Sequence, residues 1–218
     1  MVHPNNPTGH FTRREEVAQL NQVCFDNQMA VIADEVFLDF SLGAAAKSFV
    51  GNRGALTFTM SGISKICGLP QMKLAWLIAS GPEAVRREAL ARLEMIADTY
   101  LSLNAPIQLA APVLLHQRAT FQQQLMARVR TNLAELDARL VKEKKFDRLN
   151  VEGGWYAVLR VPATRSDEEL AISLLEKHDV YVHPGHFYDF PSDGYLVVSL
   201  ITPEQDFHEG LGRILSAV

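Results

Sequence analysis

The sequence predicts an α/β protein of two parts, an N-terminal part built on a largely parallel sheet and a C-terminal α+β part. Two patterns carry this prediction. Short apolar runs rich in β-branched residues alternate with helical stretches through the first half of the chain, which is typical of strands joined by helices. The composition then changes after a long amphipathic stretch that starts near residue 120. We therefore expect one domain over residues 1–119 and a second, which includes the linking helix, over residues 120–218.

The N-terminal part begins with a helix signal. Thr12 and Glu15 have the spacing of a capping box and predict a helix that continues to about Asn27. Three apolar runs then predict strands: AVIADEV (30–36), ALTFTM (55–60) and LAWLIAS (74–80). A parallel sheet of three strands is small and has exposed edges. We expect the remaining strands to be missing from this chain or to come from another chain.

Helices follow the strands. Proline is tolerated in the first helical turn, so the segments Ser80–Glu83 and Asn104–Pro106 predict two helix starts. From Thr120, apolar residues recur at steps of three or four and predict one long amphipathic helix to about Lys145.

The C-terminal part shows a mixed pattern after that helix. YAVLRVP (156–162) predicts a strand, and Ser166 with Glu169 predicts the capped start of a helix. Strands are expected near VYVHP and GYLVVSLI, and a last helix is expected after Thr202–Pro203.

Composition excludes several classes of function. The 218 residues are 48% apolar, and 21 Lys and Arg against 25 Asp and Glu give a net charge of -4. This balance favours neither nucleic acid nor an anionic membrane as a partner. No apolar run approaches the roughly eighteen residues of a membrane span, and the N-terminus lacks a signal-peptide pattern. Cys24 and Cys67 are too few for a disulfide framework, which favours a reducing compartment and a cytoplasmic location.

Metal binding is not predicted. None of the seven histidines pairs with another at the i, i+4 spacing of a helical metal site. His183 and His186 lie close in sequence, but they lack a carboxylate or thiol partner at ligand spacing.

Three segments concentrate residues that carry chemistry: HPNNPTG (3–9), ADEVF (33–37) and SGISKICGLPQMKLAW (61–76). Lys65 lies among small residues where an apolar strand ends, and an amine at that place needs solvent or a partner. Asp34 lies at the carboxyl end of another predicted strand, where open α/β sheets bind ligands.

In order and spacing, these segments resemble the signatures of the class I and II pyridoxal-phosphate aminotransferases, which have the fold type I of pyridoxal-phosphate enzymes. The resemblance continues through GGWYAVLRVP and the HPGHF turn to the C-terminal helix. It covers the whole chain but only the latter half of a full-length family member. It implies part of the mostly parallel sheet of the large domain followed by the α+β small domain.

The resemblance implies pyridoxal 5'-phosphate as the cofactor and assigns roles around its ring. Lys65 would be the Schiff-base lysine, which also transfers a proton. Asp34 would hold the ring nitrogen protonated, so that the ring accepts electrons. Asn6 would donate its amide to the phenolic oxygen, and Phe37 stands where a tyrosine often shares that oxygen.

The resemblance places Ser61, Ser64 and Lys73 near the phosphate, since hydroxyls and a cation suit a dianion. Lysine at position 73 departs from the usual arginine, keeping the charge but losing the bidentate geometry.

Substrate binding shows a second departure, because Val197 stands where the family places the arginine that binds the substrate carboxylate. Either another cation replaces that arginine, with Arg160 as the candidate, or the substrate is not a standard α-amino acid. Trp155 is a further candidate to face the substrate, although aromatic strand residues often serve packing instead.

The expected function is transfer of an amino group between an amino acid and a 2-oxo acid. The same motifs suit a β-lyase, a racemase or a decarboxylase. A catalytically silent fragment, or a truncated module that lacks the N-terminal site elements, is the alternative from a different class. Members of this family are usually dimers, so a homodimer is expected.

Overall fold

The computed structural model describes residues 1–43 and 47–218, which form two compact units. The first unit contains Met1–Asn5 and Phe11–Gln122, and the second contains Asn6–His10 and Gln123–Val218. Among the described residues, no helix is both long enough and apolar enough to cross a membrane.

The first unit contains three strands and the helices around them. Its elements in chain order are α1 (Arg14–Asp26), β1 (Val31–Asp34), β2 (Thr57–Gly62), α2 (Ile63–Ile66), β3 (Ala75–Ser80), α3 (Glu83–Ala97) and the start of α4 (Ala105–Leu140). Helix α1 begins one residue later than the Thr12 signal implies, since the Arg13 N–H donates to the Glu16 carboxylate at 2.5 Å.

The sheet of the first unit has the order β1-β2-β3. Strands β1 and β2 are parallel and place Asp34 beside Met60, whereas β3 runs antiparallel to β2 and places Trp76 beside Ser61. The third strand therefore differs from the expected parallel pattern. Its connection to β2 contains only the one-turn helix α2 and a short 3-10 turn, whereas a parallel crossover usually needs a longer helix to carry the chain back.

Two clusters of buried residues belong to the core of the first unit. Five buried residues form the cluster beneath α1: Cys24, Val31, Ala33, Phe49 and Ala55. A second cluster joins Ile63, Leu74 and Ile107, so that α2, β3 and the start of α4 pack together.

Helix α4 joins two predicted helices into one. It runs without a break from Ala105 to Leu140 and contains Pro112, which is exposed. The Asn104 side-chain oxygen accepts the Ile107 N–H at 3.1 Å and caps the first turn.

The second unit is an antiparallel sheet with two further helices. Its elements after α4 are β4 (Asp147–Arg148), β5 (Tyr156–Arg160), α5 (Asp167–His178), β6 (His183–Pro184), β7 (Tyr195–Ser199) and α6 (Glu204–Ala217), and the strand order is β4-β5-β7-β6. The predicted cap of α5 is confirmed, because Ser166 and Glu169 exchange side-chain to backbone hydrogen bonds of 3.2 Å.

Candidate functional site

A carboxylate and an amine lie at one edge of the first unit's sheet. Asp34 is the last residue of β1, and Lys65 lies in α2 directly after β2. Because β1 and β2 are parallel, their carboxyl ends meet at the same edge. Asp34 is half-buried, and its Oδ1 accepts the Val36 N–H at 3.1 Å.

An aromatic ring accompanies the amine. The Lys65 Nζ lies 5.7 Å from the centroid of the Phe37 ring, within the range of a cation–π contact. Phe37 is 5% exposed and follows β1 in the chain. The structure thus brings together Lys65 and Phe37, which the sequence assigned to the same site from separate segments.

Two glycines fix the backbone on either side of Lys65. A Cβ on Gly62 would lie 2.7 Å from the Leu74 carbonyl oxygen, because β3 passes close to the start of α2. Gly68 has a φ of +67°, and a Cβ there would lie 2.7 Å from the Phe121 ring. Neither position admits a side chain without a shift of its neighbours. Close packing at these two glycines therefore fixes the backbone before and after the one-turn helix that carries Lys65.

The three predicted phosphate residues lie in different surroundings. Ser64 is half-buried within α2, and Lys73 is exposed with a left-handed backbone at a φ of 56°. Asp34 shares a face of the sheet with Met60, and Ser61, one residue further along β2, is on the opposite face. The Ser61 and Asp34 side chains therefore leave the sheet in opposite directions.

A cavity of about 450 Å³ opens on the face that carries Ser61. Its polar lining includes Glu35, Ser48, Thr59, Ser61 and Arg118. The Thr59 hydroxyl is buried and lacks a hydrogen-bond partner among the described residues.

Glu35 has a structural role beside this cavity. It is 4% exposed, and its carboxylate accepts the Ser48 hydroxyl and the Phe49 N–H, each at 2.6 Å. Burial raises the pKa of the Glu35 carboxyl, and these two hydrogen bonds oppose the rise. The Glu35 side chain thus ties the turn at residues 48–49 to the end of β1.

Three predicted site residues belong to the second unit. Asn6 is exposed, and Trp155 is 7% exposed. Arg160 is 53% exposed, and its Nη1 lies 3.7 Å from the Asp147 Oδ2. Val197 is 3% exposed and lies between Val158 and His183 on the neighbouring strands.

Sequence reasoning missed a polar cluster around His183. The Tyr181 hydroxyl lies 3.1 Å from His183 Nε2, and the Tyr188 hydroxyl lies 2.7 Å from His183 Nδ1. The only sequence signal was the tyrosines two residues before and five residues after a histidine, and histidine was considered there only as a metal ligand.

Comparison with known proteins identifies a family. The sequence model described as aminotransferase class I and II matches residues 1–214. The aromatic-amino-acid aminotransferase 2 of Thermococcus litoralis is 24% identical over 216 residues, which are 97% of this chain and 54% of that protein.

Solved structures show the same fold. Tyrosine aminotransferase from Leishmania infantum superposes with a TM-score of 0.87 at 20% identity, over 99% of this chain and 55% of that one. An aminotransferase from Clostridium difficile 630, described as PLP-bound, gives a TM-score of 0.78 at 20% identity, over 100% of this chain and 57% of that one. The chain thus spans about half the length of these relatives.

Proposed function

The chain belongs to the class I and II aminotransferases, and from this premise we propose that it transfers an amino group between an amino acid and a 2-oxo acid with pyridoxal phosphate as cofactor. The observation that carries the proposal is that Asp34 ends β1 and that Lys65 follows the end of β2, the strand parallel to β1. An amine and a carboxylate held at one sheet edge suit an aromatic aldehyde with a basic ring nitrogen.

The residues of the first unit fit this cofactor. Lys65 would hold the aldehyde carbon, Asp34 would keep a proton on the ring nitrogen, and Ser64 and Lys73 would bind the phosphate. When bound, pyridoxal phosphate supplies an electron-accepting ring next to the substrate's Cα. The close approach of Gly62 and Gly68 to their neighbours supports this assignment, since it orients the short helix that carries the amine.

Lys65 would do the proton transfer itself. Its Nζ would take the proton from the substrate's Cα, hold it and later give it up again, which is general base and general acid work for one amine. The buried Phe37 ring limits water on one side of that amine.

The test is an absorption measurement on the chain with added pyridoxal phosphate. We expect a visible imine band in the wild type and its loss in Lys65→Ala. Lys177→Ala, which removes an exposed lysine of α5, is the matched control and should keep the band. Amino acids should then bleach the band.

Two outcomes would contradict the proposal in different ways. A band that survives in Lys65→Ala would show that another lysine reacts. The absence of a band in the wild type would favour the catalytically silent alternative.

We further propose that the chain forms a homodimer through α3. None of the fifteen residues of α3 is buried, and four large apolar side chains on it are 45–73% exposed: Val85, Leu90, Met95 and Ile96. Apolar surface of this kind is typical of interfaces.

Light scattering after size exclusion tests the homodimer. Met95→Lys combined with Ile96→Lys should shift the mass from dimer to monomer, whereas Ile172→Lys, at a 48% exposed position of α5, should not. A monomeric wild type at high concentration would contradict this part of the proposal.

A further inference from the structure

The cavity of the first unit lies on the other face of the sheet from Asp34. Its volume of about 450 Å³ is within the usual range of small-molecule pockets. One wall consists of paired strand residues, with Thr59 opposite Ile78 and Ser61 opposite Trp76. Directly paired residues send their side chains to the same face of a sheet. The cavity is therefore separate from the place that we propose for the cofactor.

The buried hydroxyl of Thr59 is the first feature that points to a ligand. Thr59 is 3% exposed, and its Oγ1 lacks a hydrogen-bond partner among the described residues. Thr57, two residues earlier on the same face, is also buried, but its hydroxyl donates to the Ala55 carbonyl oxygen at 3.0 Å and accepts the Asn52 amide at 2.9 Å. A buried hydroxyl without a partner costs free energy. Thr59 thus offers a hydrogen bond to a polar group that enters the cavity.

Two exposed residues of opposite charge, Arg118 and Asp39, also line the cavity. The Arg118 Nη1 donates to the Leu115 carbonyl oxygen at 2.6 Å, and most of the guanidinium N–H donors remain available. Gln122, one turn further along α4, donates to the Asp39 Oδ2 at 2.9 Å, so Asp39 lies beside the helix face that carries Arg118. Within the described part of the chain, Arg118 and Asp39 form no ion pair with each other. They can therefore receive a carboxylate and an ammonium group side by side.

The rest of the lining is mostly apolar. The half-buried Trp76 indole and the Leu115 side chain suit a flat aromatic ring. Glu35 also lines the cavity, but its carboxylate accepts the Ser48 hydroxyl and the Phe49 N–H. Burial raises the pKa of the Glu35 carboxyl and thus favours its neutral form. Asp39 is therefore the stronger partner for a cationic group.

We propose that this cavity binds a free amino acid with a hydroxylated aromatic side chain. The ligand's carboxylate would pair with Arg118 and its ammonium group with Asp39, since both residues are exposed at the rim. Its ring would lie against Trp76, and its phenol would meet the buried Thr59 hydroxyl. A molecule with its charges at one end and a hydroxyl at the other matches this lining. The inference goes beyond the proposed function, because it uses neither the cofactor nor Lys65.

Binding of four probes to the intact chain, without added cofactor, tests the assignment group by group. L-tyrosine carries all three polar groups, tyramine lacks the carboxylate, 3-(4-hydroxyphenyl)propionate lacks the ammonium group and L-phenylalanine lacks the hydroxyl. Calorimetry gives the four dissociation constants. We expect the wild type to bind L-tyrosine about tenfold or more tightly than each of the other probes.

Each variant should remove the advantage of one ligand group. Arg118→Gln should weaken L-tyrosine binding about tenfold and leave tyramine binding nearly unchanged. Asp39→Asn should do the same for L-tyrosine but not for 3-(4-hydroxyphenyl)propionate. Thr59→Val should bind L-tyrosine no better than L-phenylalanine, whereas Thr59→Ser, which keeps the hydroxyl, should retain the preference. Arg130→Gln, which changes an exposed arginine of the same helix, is the matched control for Arg118→Gln.

Urea unfolding of the ligand-free chain separates a binding role of Thr59 from a structural one. Valine has the shape of threonine, and the hydroxyl that it removes from Thr59 has no partner in the described part of the chain. Thr59→Val should therefore keep or raise the unfolding midpoint. Thr57→Val, which removes a hydroxyl with two partners, should lower that midpoint. A fall in Thr59→Val as large as in Thr57→Val would show that the Thr59 hydroxyl serves stability instead.

Three binding results would overturn the inference. They are a wild type that binds L-tyrosine no better than the other three probes, equal effects of Arg118→Gln and Arg130→Gln, and loss of L-tyrosine binding in Lys65→Ala. The last result would place the ligand at the edge that carries Lys65. Because the titration contains no cofactor, a failed imine test and a failed cavity test are separate results.

Discussion

The sheets of the two units bury their apolar side chains to different degrees. In the second unit, the central strands β5 and β7 bury Leu159 and Leu196 completely, and Val158 is 1% exposed. In the first unit, β3 leaves Leu77 43% and Ile78 41% exposed on its two faces. The first unit therefore carries the proposed reactive groups on a sheet with uncovered apolar surface, whereas the second unit has a closed core.

The difference shows that the proposed reactive residues and the better-buried sheet lie in different units of the chain. The Lys65 region is positioned by local contacts of two glycines, and its strands keep apolar surface that a further segment or partner can cover. The second unit holds its shape through buried side chains. We thus expect substitutions in the two units to affect stability differently, even when the residue types match.

The largest expected effect compares two leucines. Leu196→Ala removes a side chain with 0% exposure in β7 and should lower the free energy of unfolding by about 2–5 kcal/mol through lost burial and a cavity. Leu77→Ala, at a 43% exposed position of β3, should change it by at most about 0.5 kcal/mol. Urea unfolding of both variants measures the two changes in unfolding free energy. Similar changes would contradict the proposed difference between the two sheets.

A smaller effect is expected at Asp167, which is 1% exposed at the start of α5. Its Oδ1 accepts the Gly194 N–H at 2.6 Å and the Tyr195 N–H at 3.1 Å. Asp167→Ala leaves these donors without their partner and should cost about 1–3 kcal/mol. Glu168→Ala, at the exposed neighbouring position, is the control. Thermal unfolding measures the loss of stability in both variants. An equal loss in the two variants would argue that the Asp167 carboxylate does not stabilise the backbone at residues 194–195.

The smallest effect concerns pH in the first unit. Because burial raises the pKa of Glu35 above its unfolded value, folding favours its protonated form. The stabilising contribution is complete below the unfolded pKa and is lost as the pH rises through the folded pKa.

Glu35→Gln removes this titration and keeps a similar shape. The unfolding free energy of the wild type should therefore fall relative to that of Glu35→Gln as the pH rises from acidic toward neutral. Glu15→Gln, at an exposed position of α1, should show no such trend. An opposite slope in denaturant titrations at several pH values would refute the buried-carboxyl interpretation.

The helix predictions show that local patterns identify a capped helix start but not whether two helical stretches form one helix. Ser166 and Glu169 predicted the start of α5 correctly, because a capping box depends on residues three apart. The predicted starts near Asn104 and Thr120 turned out to lie on one helix that contains Pro112. Its exposed position lets water reach the backbone groups that the proline leaves unpaired, and exposure cannot be read from local sequence.

The sheet predictions left open the features that distant segments decide. Strand β3 was recognised as a strand, but its antiparallel direction follows from the short connection through α2. The facing of Ser61 away from Asp34 likewise depends on the register between β1 and β2. The cluster of Tyr181, His183 and Tyr188 was not predicted, because the hydrogen bond between Tyr188 and His183 requires the turn between them to fold back.

By itself, the sequence determined the family, most of the strands and helices, and the two groups proposed to meet at a sheet edge, Asp34 and Lys65. These follow from residue types at short, fixed spacings. Only the tertiary structure decided the direction of β3, the two faces to which Ser61 and Asp34 belong, and the polar cluster opposite Val197. Such features depend on pairing between strands far apart in the chain, and that pairing is set by packing rather than by any local pattern.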